Sequence, residues 1–275
     1  MTEPVRTVRS TEIVYGARGA ALDDPADVFH EASKAYPQLL ATQLPGVRNL
    51  LASRELQVSA QRSVRSNREL PAVPLPQPAP LTTSFDRLLI ERRSTREFAG
   101  EPVTQNELAA LLRAGYGITR GDREAQSFRS VPSGGALYPL ELYPVVGAVE
   151  GLGEGIYRFD PLRECIELVR GDRKREELAA ASVYPEIVGA AGITILVVAV
   201  FWRTRFKYAL RGYRFALLEA GHVVQNILLA AASLGLAAVP LGGYYDRRVD
   251  DMLRLDGVDE STIYAVCVGK ALEDA

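Results

Sequence analysis

The sequence predicts a mixed α/β protein whose main body follows a proline-rich segment. Three observations support this class. A capping-box pattern at Thr104 and Glu107 opens a helix, two β-favouring segments flank an Asp-Pro turn, and a nearly uninterrupted apolar strand precedes a long helix. The chain has 275 residues, of which 47% are hydrophobic and 24% are charged, so it can bury a substantial core.

The first 80 residues are predicted to form an appendage and a linker. Residues 71–80 read PAVPLPQPAP, and alternating prolines favour an extended conformation without hydrogen bonds of its own. Before them, residues 27–40 and 47–70 have helical patterns with few strong apolar stripes. We therefore divide the chain into an appendage with its linker, residues 1–80, and a main domain, residues 81–275.

The first half of the main domain contains helices and then strands. A short amphipathic helix is predicted over residues 85–92, and a second helix runs from the capping box to Gly115, which we expect to end it. An apolar strand follows at residues 140–149. Residues 155–159 and 165–169 are predicted to pair as a hairpin across Asp160-Pro161.

The second half of the domain is organised around a long helix. A strand at residues 193–201 is apolar nearly throughout, which predicts burial on both faces. The helix predicted over residues 211–234 ends at Gly235 and is apolar on more than one side, so we place it at the centre of a domain or of a dimer. A short helix at residues 247–254 and a last strand at residues 262–268 complete the body.

Composition excludes several classes of function. The net charge is -2, so no overall field favours nucleic acid or an anionic membrane as partner. Cys165 and Cys267 form no CxxC pair, and His30 and His222 stand outside any metal-binding pattern, so we expect no metal, and an organic cofactor for any redox chemistry. Because the two cysteines signal no disulfide framework, we expect a reducing, cytoplasmic location, and the polar start is not a secretory signal. No dinucleotide-binding GxGxxG follows a strand into a helix.

A basic run follows the first helix of the domain. Forked guanidinium groups with interleaved hydroxyls suit a phosphate, although the same run could be a solvated surface. It consists of Arg92, Arg93, Ser94, Thr95 and Arg96.

Two glycine pairs lie in turns next to predicted strands. Residues 132–139 read PSGGALYP and residues 240–244 read PLGGY. Paired glycines let the backbone approach a flat ligand closely, but each stretch could simply be a tight turn.

Basic and aromatic residues interleave over residues 206–214, which read FKYALRGYR. Nucleic-acid surfaces have this character. Because the chain is nearly neutral and a buried strand comes just before, we interpret the stretch as a cavity wall.

Taken together, RRSTREF, PSGGALYPLELY, FKYALRGYR and PLGGYYD resemble the nitroreductase superfamily, in matching order over residues 85–270. More narrowly, they resemble its streptolysin- and microcin-type azoline dehydrogenases. The resemblance implies an α+β fold with a mostly antiparallel central sheet flanked by helices. It also implies a homodimer with FMN sites at the interface.

Residue roles are implied by the same resemblance. The FMN phosphate and ribityl chain would be held by Arg92, Ser94 and Arg96, with Arg93 nearby. The isoalloxazine ring would be reached from the second subunit by Pro132, Ser133, Gly134, Gly135, Ala136 and Leu137. Gly242 and Gly243 would place backbone amides near flavin N5.

Lys207 and Tyr208 would supply the acid and base, while flavin N5 takes a hydride and molecular oxygen reoxidises the flavin. Which of the two is the base stays open. The plain alternative is that Lys207 is an exposed lysine and Tyr208 a core aromatic.

The implied function is oxidation of peptide thiazolines and oxazolines to thiazoles and oxazoles, with a cyclodehydratase as a possible partner. One alternative is an NAD(P)H-dependent nitro or quinone reductase of the same fold. Another is a flavin-free scaffold that binds a peptide or a cyclodehydratase.

Overall fold

The computed structural model describes residues 25–34, 45–56, 64–121 and 127–272. It divides the chain into two units, residues 1–44 and 45–275. Helix α1 (Pro25–Ala32) belongs to the first unit. The elements described below belong to the second.

A seven-stranded sheet forms the centre of the second unit, and each neighbouring pair of its strands is antiparallel. Its strands are β1 (Ala72–Pro74), β4 (Leu140–Val146), β5 (Gly155–Asp160), β6 (Cys165–Gly171), β7 (Ile193–Val200), β8 (Leu236–Leu241) and β9 (Glu260–Lys270). The order across the sheet is β1-β6-β5-β4-β7-β9-β8. A separate two-stranded ribbon pairs β2 (Ile118–Gly121) with β3 (Ser127–Arg129). The predicted α+β class with a mostly antiparallel sheet is confirmed.

Helices cover both faces of this sheet. The helices of the second unit are α2 (Pro45–Ala52), α3 (Phe85–Glu91), α4 (Gln105–Tyr116), α5 (Lys174–Ala180), α6 (Pro185–Ala190), α7 (Trp202–Tyr208), α8 (Leu210–Ser233) and α9 (Asp246–Leu253). One hydrophobic cluster joins α4 and α8 to the sheet, and a second cluster joins α5, α6 and α9 to the opposite face.

Strand β7 lies between these two layers. All its residues are buried; Ile195 and Val197 contribute to the first cluster, whereas Leu196 and Val198 contribute to the second. Because successive side chains of a strand point to opposite faces, a strand covered on both sides is apolar on both faces, and in β7 only Thr194 is polar. The prediction of a doubly buried strand at residues 193–201 is confirmed.

Helix α8 is the central helix of the protein. It is long and apolar enough to cross a membrane by length and composition, yet half of its most apolar window is buried inside the fold. Its buried residues, which include Ala216, Val223 and Ile227, pack on α4 and on the sheet. Gly235 follows it with φ +68°, which is the left-handed conformation that ends helices.

The end of helix α4 differs from the prediction. The capping box forms as expected between Thr104 and Glu107, but Gly115 lies inside the helix and Gly117 caps it. A Cβ on Gly115 would lie 2.7 Å from Ile227, so this glycine permits close contact between α4 and α8. Its role is in packing, which local pattern does not reveal.

Residues 64–70 are not helical, contrary to the helix predicted over residues 47–70. Their backbone amides instead bind acidic side chains of the sheet: the N–H of Arg65 donates to Glu141, and that of Asn67 donates to Glu167. The Arg65 side chain also forms an ion pair with Glu260. These long-range contacts outweigh the local helical pattern.

The proline-rich segment is extended, but part of it belongs to the sheet. Strand β1 pairs with β6, and the N–H of Leu75 donates to the carbonyl of Glu164 at 2.9 Å. Prolines are tolerated here because β1 is an edge strand. The predicted linker therefore contributes an edge strand to the second unit, which spans residues 45–275.

Candidate active site

The turn at residues 132–139 has an unusual backbone. Gly135 has φ +66°, and two residues with a Cβ, Ala136 at +53° and Tyr138 at +44°, also have positive φ. Such conformations cost free energy for residues other than glycine and concentrate at functional sites. Ser133 holds the turn together, because its Oγ accepts the N–H of Tyr138 at 2.9 Å and its carbonyl accepts the N–H of Ala136 at 3.1 Å.

A break between helices α7 and α8 carries Lys207 and Tyr208. The two helices are separated by Ala209, whose φ of 48° and ψ of -133° are unfavourable for an L-residue. Gly212 allows the break to fold tightly, since a Cβ there would lie 2.7 Å from the carbonyl carbon of Thr204. The Thr204 hydroxyl donates to the carbonyl of Gly212 at 2.9 Å.

The turn and the helix break meet at Gly135. A Cβ on this residue would lie 2.6 Å from Oη of Tyr208 and 2.8 Å from Nζ of Lys207. Phe215 supports the contact, because its ring packs on Gly134 and meets the Tyr208 ring edge-on with the centroids 5.0 Å apart. The structure therefore brings the predicted acid/base pair together with part of the predicted flavin-binding turn.

Lys207 differs from the other lysines of the chain. The sequence contains four lysines, and Lys34, Lys174 and Lys270 each form an ion pair with a glutamate. Among the described residues Lys207 has no such carboxylate, and its Nζ lies 5.1 Å from the centroid of the Tyr208 ring. Both side chains are partly exposed. An amine in this position is accessible to a ligand.

A buried ion pair and a hydrogen bond join helix α7 to strand β4 and to the 132–139 turn. Arg203, on the same helix as Lys207, donates to Glu141 of β4 at 2.6 Å and to the carbonyl of Tyr138 at 3.3 Å. Arg203 lies close to Lys207 in the sequence, but its charge is directed into the protein and is paired with Glu141. Its effect on the site is one of position.

A second buried group lies behind the turn. Glu219 of α8 accepts a hydrogen bond from the hydroxyl of Tyr116 at 2.5 Å and another from Ser133. Arg129 stacks over the Tyr116 ring, with its Cζ 4.0 Å from the ring centroid. Burial raises the pKa of Glu219 to about 7, although these hydrogen bonds and the charges of Arg129 and Arg203 oppose the shift.

Sequence reasoning missed this buried set, although one signal was present. Ala216, Glu219, Ala220 and Val223 have the three- and four-residue spacing of one helix face. A carboxylate on an otherwise apolar face predicts a buried, partnered acid.

The predicted phosphate-binding run lies elsewhere on the protein, at strand β8. The N–H of Thr95 donates to the carbonyl of Ala238 at 3.0 Å. A cavity of about 250 Å³ beside it is lined by Arg92, Arg93 and Thr95 together with residues of α8 and β8. Ser94 and Arg96 are exposed next to it, and Arg96 donates to the carbonyl of Ser94 at 3.5 Å.

The other predicted glycine pair follows the end of β8. Gly242 is exposed, and nothing lies within 4 Å of a Cβ built on it. The carbonyl of Gly243 accepts the N–H of Val183 at 2.9 Å. The lining of the Arg92 cavity includes neither this pair nor any residue of the 132–139 turn.

The fold and these motifs agree with a comparison against known families. The model of the nitroreductase family matches residues 89–270. The chain belongs to the nitroreductase family. MJ1384 of Methanocaldococcus jannaschii, which is provisionally named a nitroreductase, is 38% identical over 189 residues, covering 69% of this chain and 92% of that protein.

A second curated relative of this nitroreductase-family chain has a name that concerns peptide processing. The microcin B17-processing protein McbC of Escherichia coli is 33% identical over 134 residues, which span 46% of this chain and 49% of McbC. The match therefore extends over about half of that relative.

Solved structures share the fold. A nitroreductase-type protein from Ralstonia eutropha has a TM-score of 0.64 and 27% identity, covering 76% of this chain and 94% of its own. A chain of the E. coli microcin synthetase McbBCD complex, with truncated pro-MccB17 bound, has a TM-score of 0.58 at 22% identity and covers 92% of this chain and 100% of its own.

Proposed function

We propose that this chain is an FMN-dependent oxidoreductase that converts thiazoline and oxazoline rings of a peptide into thiazoles and oxazoles. The observation that carries the proposal is the meeting of Gly135 with Lys207 and Tyr208. A flat ring can approach backbone that has no Cβ, and an amine and a phenol beside it can take a proton from that ring.

The described residues fit FMN. Arg92, Arg93 and Arg96 form no ion pair with a carboxylate within the described chain, and Arg92 and Arg93 face a cavity, so their charge is available for a phosphate. Members of the nitroreductase family generally bind this cofactor. Gly242, exposed at the end of β8, would offer its backbone amide to the ring. When bound, FMN would accept the two electrons released by the substrate ring and pass them on to molecular oxygen.

The acid/base pair performs the remaining chemistry. Aromatisation of an azoline removes a proton from one ring carbon and a hydrogen with its electron pair from the neighbouring carbon. Lys207 or Tyr208 receives that proton, because Nζ and Oη both lie at the surface of the Gly135 turn. Phe215 restricts the orientation of the phenol through its edge-on contact.

A second copy of the chain completes the proposed site. Within one chain, no residue of the 132–139 turn lines the Arg92 cavity. On helix α8, Leu217 is 42% exposed and Leu218 is 62% exposed. Gly221 lies nearby on the same helix, and a Cβ built on it would have no neighbour within 4 Å. A homodimer formed through this face would bring the turn of one subunit to the FMN of the other.

The peptide substrate and a cyclodehydratase are the proposed partners. The name of McbC concerns the processing of microcin B17, and the McbBCD structure contains a bound precursor peptide. An azoline arises when a side-chain hydroxyl or thiol closes on the preceding carbonyl with loss of water. An enzyme that performs this reaction must therefore act before the oxidation.

An NAD(P)H-dependent nitro or quinone reductase is the second candidate. The similarity to MJ1384 favours it, because this match extends over most of both chains and that protein has a nitroreductase name. Such an enzyme needs FMN but has no requirement for Lys207 and Tyr208.

The visible spectrum of the purified protein distinguishes the two. Under anaerobic conditions, we expect a flavin band that bleaches when an azoline-containing peptide is added without NADPH. Bleaching by NADPH alone would contradict the proposal and support the reductase. A colourless protein that cannot be loaded with FMN would exclude both.

A further inference from the structure

Glu219 connects both ends of the 132–139 turn. It is 3% exposed and belongs to helix α8. The two hydroxyls that donate to its carboxylate come from Tyr116, at the end of α4, and from Ser133, within the turn. A charged group is buried here at a cost that only specific partners offset.

Each of the two hydroxyls also holds backbone of the turn or of the strand after it. Ser133 Oγ accepts the N–H of Tyr138, and Tyr116 Oη accepts the N–H of Leu140 at 3.2 Å. A single carboxylate thus orients two hydroxyls, and these orient two amides on either side of Pro139. Within the turn, Ala136 and Tyr138 have strained backbone conformations, which persist only when surrounding contacts hold them.

We propose that Glu219 is a positioning residue, whose carboxylate acts through Ser133 and Tyr116 to hold the Gly135 turn against Lys207 and Tyr208. This role rests on the proposed function, which assigns proton transfer to Lys207 and Tyr208. Glu219 itself is buried and acts only through its two hydroxyl partners.

The hydrogen bonds of Glu219 should depend on pH. Burial raises the pKa of Glu219 to about 7, so the carboxyl changes state near neutrality. Once protonated, the carboxyl gains a hydrogen to donate and keeps less acceptor capacity for the hydroxyls of Ser133 and Tyr116, which both donate to it and accept backbone N–H groups. At least one of the existing hydrogen bonds then rearranges, and the turn moves relative to Lys207.

Several ionisable groups face Glu219 from the elements packed around it. Arg129 of β3 and Arg203 of α7 favour the charged carboxylate. Burial and the charge of Glu219 raise the pKa of Tyr116 well above its usual value, so this hydroxyl remains a donor through the neutral range. Of Glu219 and Tyr116, the glutamate is therefore the group whose pKa lies near 7.

The test compares the wild type with Glu219→Gln in the FMN-loaded protein. Glutamine keeps the shape of the side chain but cannot carry the charge. We expect the wild-type turnover number to rise with pH through about 7, and the variant to have a turnover lower by about tenfold or more with no such rise, because small displacements of reacting groups cost rate steeply. KM should change little. A variant with the wild-type pH profile would overturn the proposal.

A second readout requires neither substrate nor turnover. The rate at which Lys207 is acetylated by acetic anhydride, followed by mass spectrometry of its peptide, should differ between wild type and variant, while Lys174 serves as an internal reference. Unchanged acetylation of Lys207 would contradict the positioning role. If acetylation changes but the wild type oxidises no azoline, the proposed function fails and the role of Glu219 is retained.

Two further variants separate this effect from damage to the fold. Ser133→Ala leaves the acid in place and removes one donor, so it should also lower turnover and alter Lys207 acetylation, even if Glu219→Gln does not fold. Glu107→Gln is the matched control, because Glu107 lies on the helix that ends at Tyr116 but pairs with Lys270. It should retain the wild-type pH profile.

Discussion

Arg203 donates to Oε1 of Glu141 at 2.6 Å, and both side chains are buried. This ion pair joins helix α7, which carries Lys207 and Tyr208, to the central strand β4. An isolated buried charge is far more costly than a buried pair, so the position of the helix that carries Lys207 and Tyr208 depends on both partners.

Removal of one partner should therefore destabilise the protein strongly. We expect Arg203→Met to lower the free energy of unfolding by about 3–5 kcal/mol, because Glu141 loses its main countercharge. Arg87→Met, which breaks the exposed Arg87–Glu91 pair, is the control and should cost at most about 1 kcal/mol. Denaturant unfolding measures both; similar losses in the two variants would contradict the argument.

The proposed acid/base role of Lys207 and Tyr208 can be tested by two conservative variants. We expect Lys207→Met and Tyr208→Phe to bind FMN and to dimerise like the wild type but to lose azoline oxidation, since each removes a proton-transferring group. Turnover of an azoline peptide, with flavin content measured on the same samples, checks this. Retained turnover in both single variants would exclude the assigned role.

Gly135→Ala tests the contact between the turn and the pair. The new methyl would overlap Oη of Tyr208 and Nζ of Lys207, which are the mobile ends of side chains, so they should be displaced while the fold persists. Positive φ adds a backbone cost of about 1–2 kcal/mol. We expect activity to fall much more than stability. Gly189→Ala is the control, because its Cβ would meet nothing within 4 Å; an active Gly135→Ala variant would be inconsistent with a site here.

The basic run predicts where the phosphate binds. Replacement of Arg92 and Arg96 by Ala should leave the purified protein without FMN, since the phosphate loses its charged hydrogen-bond donors. Flavin released by denaturation is the measurement, and Arg87→Ala, on the neighbouring helix, should retain its cofactor. Full occupancy in the double variant would place the phosphate elsewhere.

Stability should depend on pH through Glu219. Its pKa is about 7 in the folded protein against an ordinary value of 4.5, so the folded state binds more protons between these values and its stability falls as pH rises through this interval. The resulting loss of unfolding free energy reaches about 3 kcal/mol at most. Glu219→Gln should lack this decline. Parallel pH slopes of unfolding free energy for variant and wild type would contradict the assignment.

Much of the fold could be predicted from local sequence patterns. The capping box at Thr104, the hairpin across Asp160 and the long apolar helix depend on residues close in sequence, and each forms where it was predicted. The helix predicted through residue 70 failed because Arg65 and Asn67 bind Glu141 and Glu167, which are distant in the chain. Propensity is a weak prior against such contacts.

The sequence alone determined the mixed α/β class, the strand and helix periodicities, and the motifs that contain Lys207, Tyr208 and the Gly135 turn. These features depend on local spacing, which a linear sequence preserves. Only the tertiary structure decided that Gly135 meets the pair, that Gly115 admits Ile227, and that Glu219 joins Tyr116 to Ser133. Such contacts arise when elements far apart in the chain pack together, and their free energy depends on distance and burial, which local spacing does not encode.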